Sequence, residues 1–147
     1  MRDIAQKAKI SSYTLSSLSE EIKNKALQAV AEALKANKEL ILQENQKDLA
    51  FAQKLVDKGE LSKALYNRLK LDEYKLNDVI QGIQDVIKLN DPVNKVLAST
   101  ELDEGLILKK VSCPIGVIGI IFEARPEVVP QIAALAIKSA NAVIMKG

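Results

Sequence analysis

Histidine is missing from this sequence of 147 residues, and cysteine occurs only once. The chain therefore lacks the usual general base and the usual zinc ligand, so its chemistry has to come from carboxylates, lysine, arginine, the thiol or a bound cofactor. A single cysteine cannot form a disulfide within the chain. We therefore expect a metal-free, cytoplasmic protein.

A strong charge of either sign and a long apolar run are also missing. With 21 basic and 19 acidic residues the net charge is +2, a field too weak to favour nucleic acid or an anionic membrane as a partner. No apolar run approaches the length that spans a bilayer, and residues 1–12 lack the apolar core of a signal peptide. The 48% of apolar and 27% of charged residues are typical of one globular domain with a sizeable core.

The first part of the chain, residues 1–95, carries helical patterns. Ser17, with Glu20 three residues later, resembles a capping box and predicts the start of a helix. The apolar residues that follow recur at spacings of three and four and predict a buried stripe: Ile22, Ala26, Leu27, Val30, Ala33 and Leu34. The charged residues between them are expected to be solvated: Lys23, Lys25, Glu32 and Lys35.

Two further helical stretches follow. One is predicted over about residues 38–57, with Gly59 as its stop signal. The next covers either 62–89 or 72–89, because Ser62 and Asp72 are both suitable first residues. The Asp-Pro sequence within 90–95 then ends the helical part, since the residue before a proline is forced out of the helical region.

Residues 96–113 change to an extended pattern. Val96–Thr100 and Leu106–Val111 flank the turn sequence ELDEG, which predicts a β-hairpin with Gly105 at a positive φ angle. Apolar and polar residues alternate only imperfectly along the second run. We therefore expect an edge pair or a protruding pair of strands.

The most informative stretch is residues 114–147, PIGVIGIIFEARPEVVPQIAALAIKSANAVIMKG. A β-branched apolar run predicts a strand at Val117–Phe122, buried on both faces in a parallel sheet. A helix is expected from Glu127 or Val128 to about Ser139, and NAVIMK predicts a second buried strand. Strand, helix and strand in so short a stretch form a βαβ unit with parallel strands, which indicates an α/β fold.

Ligands bind at the carboxyl ends of the strands in such sheets. The residues at these ends are Glu123, Ala124 and Arg125 after the first strand and Lys146 and Gly147 after the second. Arginine and lysine next to the start of a helix could present positive charge to a phosphate group. The ordinary G-x-G-x-x-G dinucleotide fingerprint is absent, because Gly116 and Gly119 are spaced G-x-x-G within a strand.

The same stretch closely resembles the signature region of the gamma-glutamyl phosphate reductases, a branch of the aldehyde dehydrogenase superfamily. FEARP distinguishes this branch from typical aldehyde dehydrogenases, which carry a W-N-F-P type loop. The resemblance extends to SEEIKNKALQAVAEAL, NQKDLAFA, LYNRLKL and NDPVNKVL, and so to essentially the whole chain. It implies an aldehyde dehydrogenase-like α/β fold: helices in residues 1–95, hairpin strands for oligomerisation in 96–113, and the first, incomplete βαβ of a Rossmann-type cofactor-binding sheet in 114–147.

The resemblance also implies an activity. Such enzymes use NADPH to reduce L-glutamyl 5-phosphate to L-glutamate 5-semialdehyde and phosphate, a step of proline biosynthesis, and the complete enzyme is expected to be a homo-oligomer. In the family the cofactor lies against the loop that corresponds to Ile121, Phe122, Glu123, Ala124 and Arg125. The cation that ends the second strand, which contacts the adenosine ribose or its phosphate, corresponds to Lys146.

Three positions bear on how far the chain follows the family pattern. Ala124 stands where typical aldehyde dehydrogenases have the asparagine that helps bind the oxyanion. Ala140 stands where the family usually has glycine, so Asn141 is expected to take the left-handed conformation after the helix. Cys113, which precedes Pro114 at the start of an apolar strand, is interpreted as a buried small hydrophobe and not as the nucleophile.

The family's nucleophilic cysteine lies downstream of residue 147. We therefore interpret the sequence as an N-terminal fragment that is inactive alone, with no catalytic residue of its own. Two alternatives are retained. One is a non-catalytic helical and βαβ interaction module whose hairpin pairs with another chain, and the other is a sister acylating dehydrogenase that uses a coenzyme A thioester.

Overall fold

A computed structural model describes residues 2–147, which form six helices and four strands. In chain order the elements are α1 Arg2–Ser16, α2 Glu20–Ala36, α3 Lys38–Asp57, α4 Lys63–Leu69, α5 Glu73–Lys88, β1 Val96–Asp103, β2 Leu106–Val111, β3 Val117–Ile121, α6 Val128–Lys138 and β4 Ala142–Lys146. The α/β fold class is confirmed, with helices first and a parallel strand pair last.

Helix α1 was not predicted from the sequence. It contacts β4 and β3, so it covers one side of the strand pair, while α6 also packs on β4. Its buried residue is Ser12, whose hydroxyl donates a 2.7 Å hydrogen bond to the Lys9 carbonyl of the preceding turn. A buried serine whose hydroxyl is already bonded can lie against a strand pair, but it adds nothing to an apolar stripe. The apolar pattern of the sequence therefore did not indicate this helix.

Helix α2 begins at a different cap from the predicted one. The backbone N–H of Ile22 donates to the Ser19 hydroxyl at 3.3 Å, which makes Ser19 the N-cap. The Ser17 hydroxyl instead donates to the Thr14 carbonyl at 2.8 Å, at the end of α1. The prediction of Ser17 as the N-cap was wrong because α1 extends to Ser16, and Ser17 bonds to the last turn of α1 instead.

The main core lies where α2, α5 and α6 meet. Its buried apolar residues are Leu27 and Ala31 from α2, Val79 and Ile83 from α5, and Ala134 from α6. All five are at most 2% exposed, so the contact is closely packed. This core joins the helical layer to the helix of the βαβ unit.

The predicted bounds of α3 agree with the structure. Gly59, at φ 77°, follows the helix, and its N–H donates to the Val56 carbonyl at 2.9 Å. The stretch predicted as one helix forms two helices, and both proposed starts are used: Ser62 caps α4 and Asp72 caps α5. Each side-chain oxygen accepts a backbone N–H three residues later, which satisfies an amide that the helix leaves unpaired.

The hairpin prediction is confirmed. Strands β1 and β2 pair antiparallel in a sheet of their own, with Gly105 at φ 73° in the turn, and β1 extends three residues past the predicted Thr100. Every residue of both strands is exposed. The hairpin therefore protrudes, as the imperfect alternation indicated.

Strands β3 and β4 pair in parallel, from Val117 opposite Ala142 to Ile121 opposite Lys146. The expectation that β3 is buried on both faces was wrong. Its residues are partly buried or exposed, and Ile121 is 86% exposed. The reason is that, within residues 2–147, no other strand pairs with either member of this two-stranded sheet.

The turn after α6 also differs from the prediction. Ala140 itself takes the left-handed conformation, at φ 55°. Its N–H donates to Ile137 at 3.0 Å, and the N–H of Asn141 donates to Ala136 at 2.8 Å, which is a Schellman ending. Asn141 is held elsewhere, because its side-chain oxygen accepts the Gly116 N–H at 2.8 Å and so ties the turn to the start of β3.

Two lysines are buried, and one of them, Lys23, was expected to be solvated. Lys23 of α2 is 1% exposed, and its ammonium group lies 2.6 Å from Asp91 Oδ2 and 3.3 Å from the Lys138 carbonyl. Lys138 of α6 is 3% exposed and donates to the Asn24 side chain, the Ile87 carbonyl and Glu20 at 2.8, 3.0 and 3.2 Å. The expectation of a solvated Lys23 was wrong because its partners come from distant parts of the chain.

Candidate functional site

A cleft lies at the carboxyl ends of β3 and β4. Its lining residues are Ile121, Phe122, Glu123, Lys146 and Gly147, and its volume is about 440 Å³. The parallel register brings these strand ends together, and the Phe122 N–H extends the ladder by donating to the Lys146 carbonyl at 3.0 Å. Four of the six predicted cofactor-binding residues therefore line one cleft: Ile121, Phe122, Glu123 and Lys146.

One side of the cleft depends on a glycine. A Cβ atom built on Gly147 would lie 3.0 Å from the ring of Phe122, closer than side chains normally approach. The ring and the backbone at Gly147 are therefore in direct contact. Glycine fits at the end of β4 because the Phe122 ring occupies the place where a side chain would go.

Lys146 is the one cation in the lining of the cleft. It is exposed and follows Met145 at the end of β4, where its ammonium group can reach a ligand phosphate. Glu123 is exposed as well and brings a carboxylate to the same cleft. The pair suits a ligand that carries both phosphate and hydroxyl groups, because a carboxylate can accept hydrogen bonds from ribose hydroxyls.

The two remaining predicted residues lie in the loop but not in the lining of the cleft. Ala124 has a left-handed backbone at φ 50° and is partly buried, and Arg125 is exposed. A non-glycine residue in this conformation carries strain of the kind that is common at ligand-binding loops. The carbonyl of Arg125 accepts the Val128 N–H at 3.2 Å, which closes the turn into α6.

Glu127, at the end of this loop, is partly buried and was not predicted to belong to a site. It stands directly before α6 and makes no side-chain capping bond. Its Oε2 atom is buried and is the one buried side-chain nitrogen or oxygen in residues 2–147 without a hydrogen-bond partner. An acidic residue at the start of a helix was the signal, but such residues are usually solvated, so the pattern alone could not indicate burial.

Cys113 does not have the predicted environment. It is exposed, whereas a buried small hydrophobe was expected. It precedes β3 at the amino end of the strand pair, away from the cleft at the carboxyl ends, because β3 and β4 run in the same direction. The prediction that Cys113 is buried was wrong because nothing in residues 2–147 covers the chain just before β3.

Other candidate sites are weak. Residues 2–147 contain no group of three or more cysteine or acidic residues that could hold a metal ion. No helix in this range is both long and apolar enough to cross a membrane. A groove of about 250 Å³ between α5 and α6 is apolar, with Gln131 as its only polar side chain.

The fold and the position of the cleft define the class of protein: an α/β protein with a cleft at the carboxyl ends of a parallel strand pair. No family model matches the chain. Individual proteins do, and the similarity to the gamma-glutamyl phosphate reductases is confirmed. The chain is 57% identical over 145 residues to the gamma-glutamyl phosphate reductase of Brachyspira hyodysenteriae. The aligned residues make up 99% of the chain and 34% of that protein.

Other relatives give the same result. The gamma-glutamyl phosphate reductase of Methanosarcina acetivorans is 54% identical over 141 residues, 96% of the chain and 32% of that protein. The crystal structure of the Saccharomyces cerevisiae gamma-glutamyl phosphate reductase superimposes with a TM-score of 0.93 at 43% identity, over 99% of the chain and 36% of that protein. The chain thus spans about a third of the length of the relatives it matches.

Proposed function

We propose that this chain supplies part of the cofactor site of an enzyme that reduces L-glutamyl 5-phosphate to L-glutamate 5-semialdehyde and phosphate, with NADPH as the reductant. The observation that supports it most is 57% identity to a gamma-glutamyl phosphate reductase along 99% of the chain. That reaction belongs to proline biosynthesis. The geometry of the cleft at Lys146 and Gly147 is consistent with the role.

The residues at the strand ends fit a dinucleotide. Lys146 supplies a cation for a ribose phosphate, and Glu123 supplies an acceptor for hydroxyl groups. The bound NADPH would supply the hydride. The chain's own contribution is then to bind and orient the adenosine side of the cofactor through the ends of β3 and β4.

The nucleophile is not assigned to this chain. Cys113, its single cysteine, is exposed at the amino end of β3, whereas the cleft lies at the carboxyl end. A thiolate must reach the acyl carbon to form a thioester, and the position of Cys113 at the opposite end of the strand from the cleft argues against this role. We therefore propose that the chain alone does not turn over the acyl phosphate and that the nucleophile belongs to the portion found only in the longer relatives.

The test uses a chimera in which residues 1–147 replace the matching third of the Brachyspira hyodysenteriae relative. NADP-dependent oxidation of glutamate semialdehyde in the presence of phosphate would support the function. A soluble, folded chimera without this activity would contradict it.

Lys146→Ala in the same chimera examines the cofactor contact. We expect weaker binding of NADPH, by about 10-fold, with NADH changed less, because a lost charge-assisted hydrogen bond is worth about 1.5–3 kcal/mol. Lys109→Ala, on the exposed hairpin, is the matched control. Unchanged dissociation constants for both cofactors would remove Lys146 from the site.

A further inference from the structure

The inference concerns Glu127 and rests on the proposed function. In residues 2–147 the buried polar side chains are otherwise well satisfied: Lys23, Asn45, Asp91, Lys138 and Asn141 each have partners within 3.3 Å. Glu127 is the exception: the residue is only partly buried, but its Oε2 atom is buried and has no hydrogen-bond partner. A buried carboxylate oxygen without a donor is costly, so natural proteins retain one mainly where a partner arrives from elsewhere.

The position of Glu127 suggests where that partner comes from. The residue ends the loop 122–127, which begins in the cleft at Phe122 and carries the strained Ala124. Its side chain makes no capping bond to α6, so the start of the helix does not use the carboxylate. Burial and strain thus occur together in the segment that leaves the candidate site.

The chemistry of the proposed substrate supplies a matching donor. L-Glutamyl 5-phosphate and L-glutamate 5-semialdehyde both carry an α-ammonium group, a full positive charge with three N–H donors. A carboxylate oxygen out of solvent binds such a cation more strongly than it binds a neutral hydroxyl group. We propose that Glu127 binds the α-ammonium group of the substrate and so selects amino-acid semialdehydes and acyl phosphates over des-amino analogues.

The experiment compares two substrates in the chimera described above. L-Glutamate 5-semialdehyde carries the ammonium group, and 5-oxopentanoate, the same chain without it, does not. Oxidation of each with NADP and phosphate gives kcat/KM for the parent, for Glu127→Gln and for Glu123→Gln as the matched control. Glu127→Asp tests whether a shorter carboxylate restores part of the preference.

For the parent we expect a preference of about 10- to 100-fold for the amino-acid substrate, the size of one charge-assisted hydrogen bond. In Glu127→Gln the preference should fall to within about 3-fold of unity, with kcat/KM for 5-oxopentanoate unchanged, and Glu127→Asp should retain part of it. Glu123→Gln should leave the preference intact.

Three results would overturn the assignment. An equal loss for both substrates in Glu127→Gln would indicate a structural role, and a rise in the KM of NADP alone would assign the carboxylate to a ribose hydroxyl. A Glu127→Gln chimera that keeps the full preference would leave the ammonium group to another residue. If the parent chimera oxidises neither substrate, the proposed function fails, and the inference fails with it.

Discussion

Replacing Asp91 with alanine should destabilise the chain far more than a typical loss of one surface acid. The carboxylate lies 2.6 Å from the ammonium group of Lys23, and the two side chains are 11% and 1% exposed. Without it, Lys23 keeps the Lys138 carbonyl at 3.3 Å as its remaining partner. Breaking a buried pair from one side costs about 3–5 kcal/mol, and we expect about 3 because Asp91 retains some contact with water.

The assay is denaturant unfolding followed by far-ultraviolet circular dichroism, since the sequence has no tryptophan. Lys23→Met keeps the aliphatic stem and removes the charge, so adding it to Asp91→Ala should recover about 2 kcal/mol. Asp85→Ala is the matched control: Asp85 accepts from Lys88 at 2.8 Å on the surface of α5, and its loss should leave the unfolding free energy unchanged within error. Strictly additive effects of the Lys23 and Asp91 substitutions would refute the reasoning.

The Lys23–Asp91 pair also makes the stability of the folded chain depend on pH at acidic values. Burial by itself would raise the pKa of Asp91, but the hydrogen bonds from Lys23 and from the Val93 N–H, with the charges of Lys23 and Lys138, lower it below its ordinary value of 3.8. A carboxyl group whose pKa is lower in the folded than in the unfolded chain stabilises the fold fully at pH values above its unfolded-state pKa. This stabilisation is lost as the pH falls through its folded-state pKa. The parent chain should therefore lose stability below about pH 4, and the loss should be smaller in Asp91→Ala.

Three further outcomes are expected. Asn141→Ala leaves the Gly116 N–H without its acceptor and should lower the unfolding free energy by about 1–2 kcal/mol; an unchanged denaturation midpoint would show that the bond adds nothing. Cys113 is exposed and should react with a thiol reagent in the folded chain nearly as fast as in denaturant, so strong protection would restore the buried interpretation. Strands 117–121 and 142–146 have open edges, so the isolated chain should self-associate or exchange their amides quickly, and a monomer with strongly protected strand amides would contradict this.

Local signals explain what the sequence predicted well. Ser62 and Asp72 each form a bond three residues along the chain, and Gly59 and Gly105 take positive φ angles that glycine adopts without strain. The same short-range chemistry located the loop after β3 and the end of β4. The βαβ rule then placed these two segments at one edge, where the cleft is found.

Long-range partners explain what was missed. A lysine in an amphipathic pattern is normally solvated, and Lys23 is buried only because it meets Asp91 and a carbonyl 115 positions away. The left-handed Ala140 was missed for a similar reason, since the Asn141 side chain is used by Gly116, 25 positions earlier. The unpartnered Glu127 oxygen depends on side-chain burial, which no local pattern encodes.

Helix α6 connects the buried ion pairs around Lys138 to the loop that ends at Glu127. At 11 residues it is about 16 Å long, with Lys138 in the ion network at one end and the Glu127 loop at the other. The network fixes the carboxyl end of α6 to α2 and α5, and the Ala134 contact holds its middle. Because a packed helix behaves as a rigid element, this anchoring sets the position of the loop without any network residue touching the cleft. Substitution of Asp91 should therefore change stability, whereas we propose that substitution of Glu127 or Lys146 changes ligand selection.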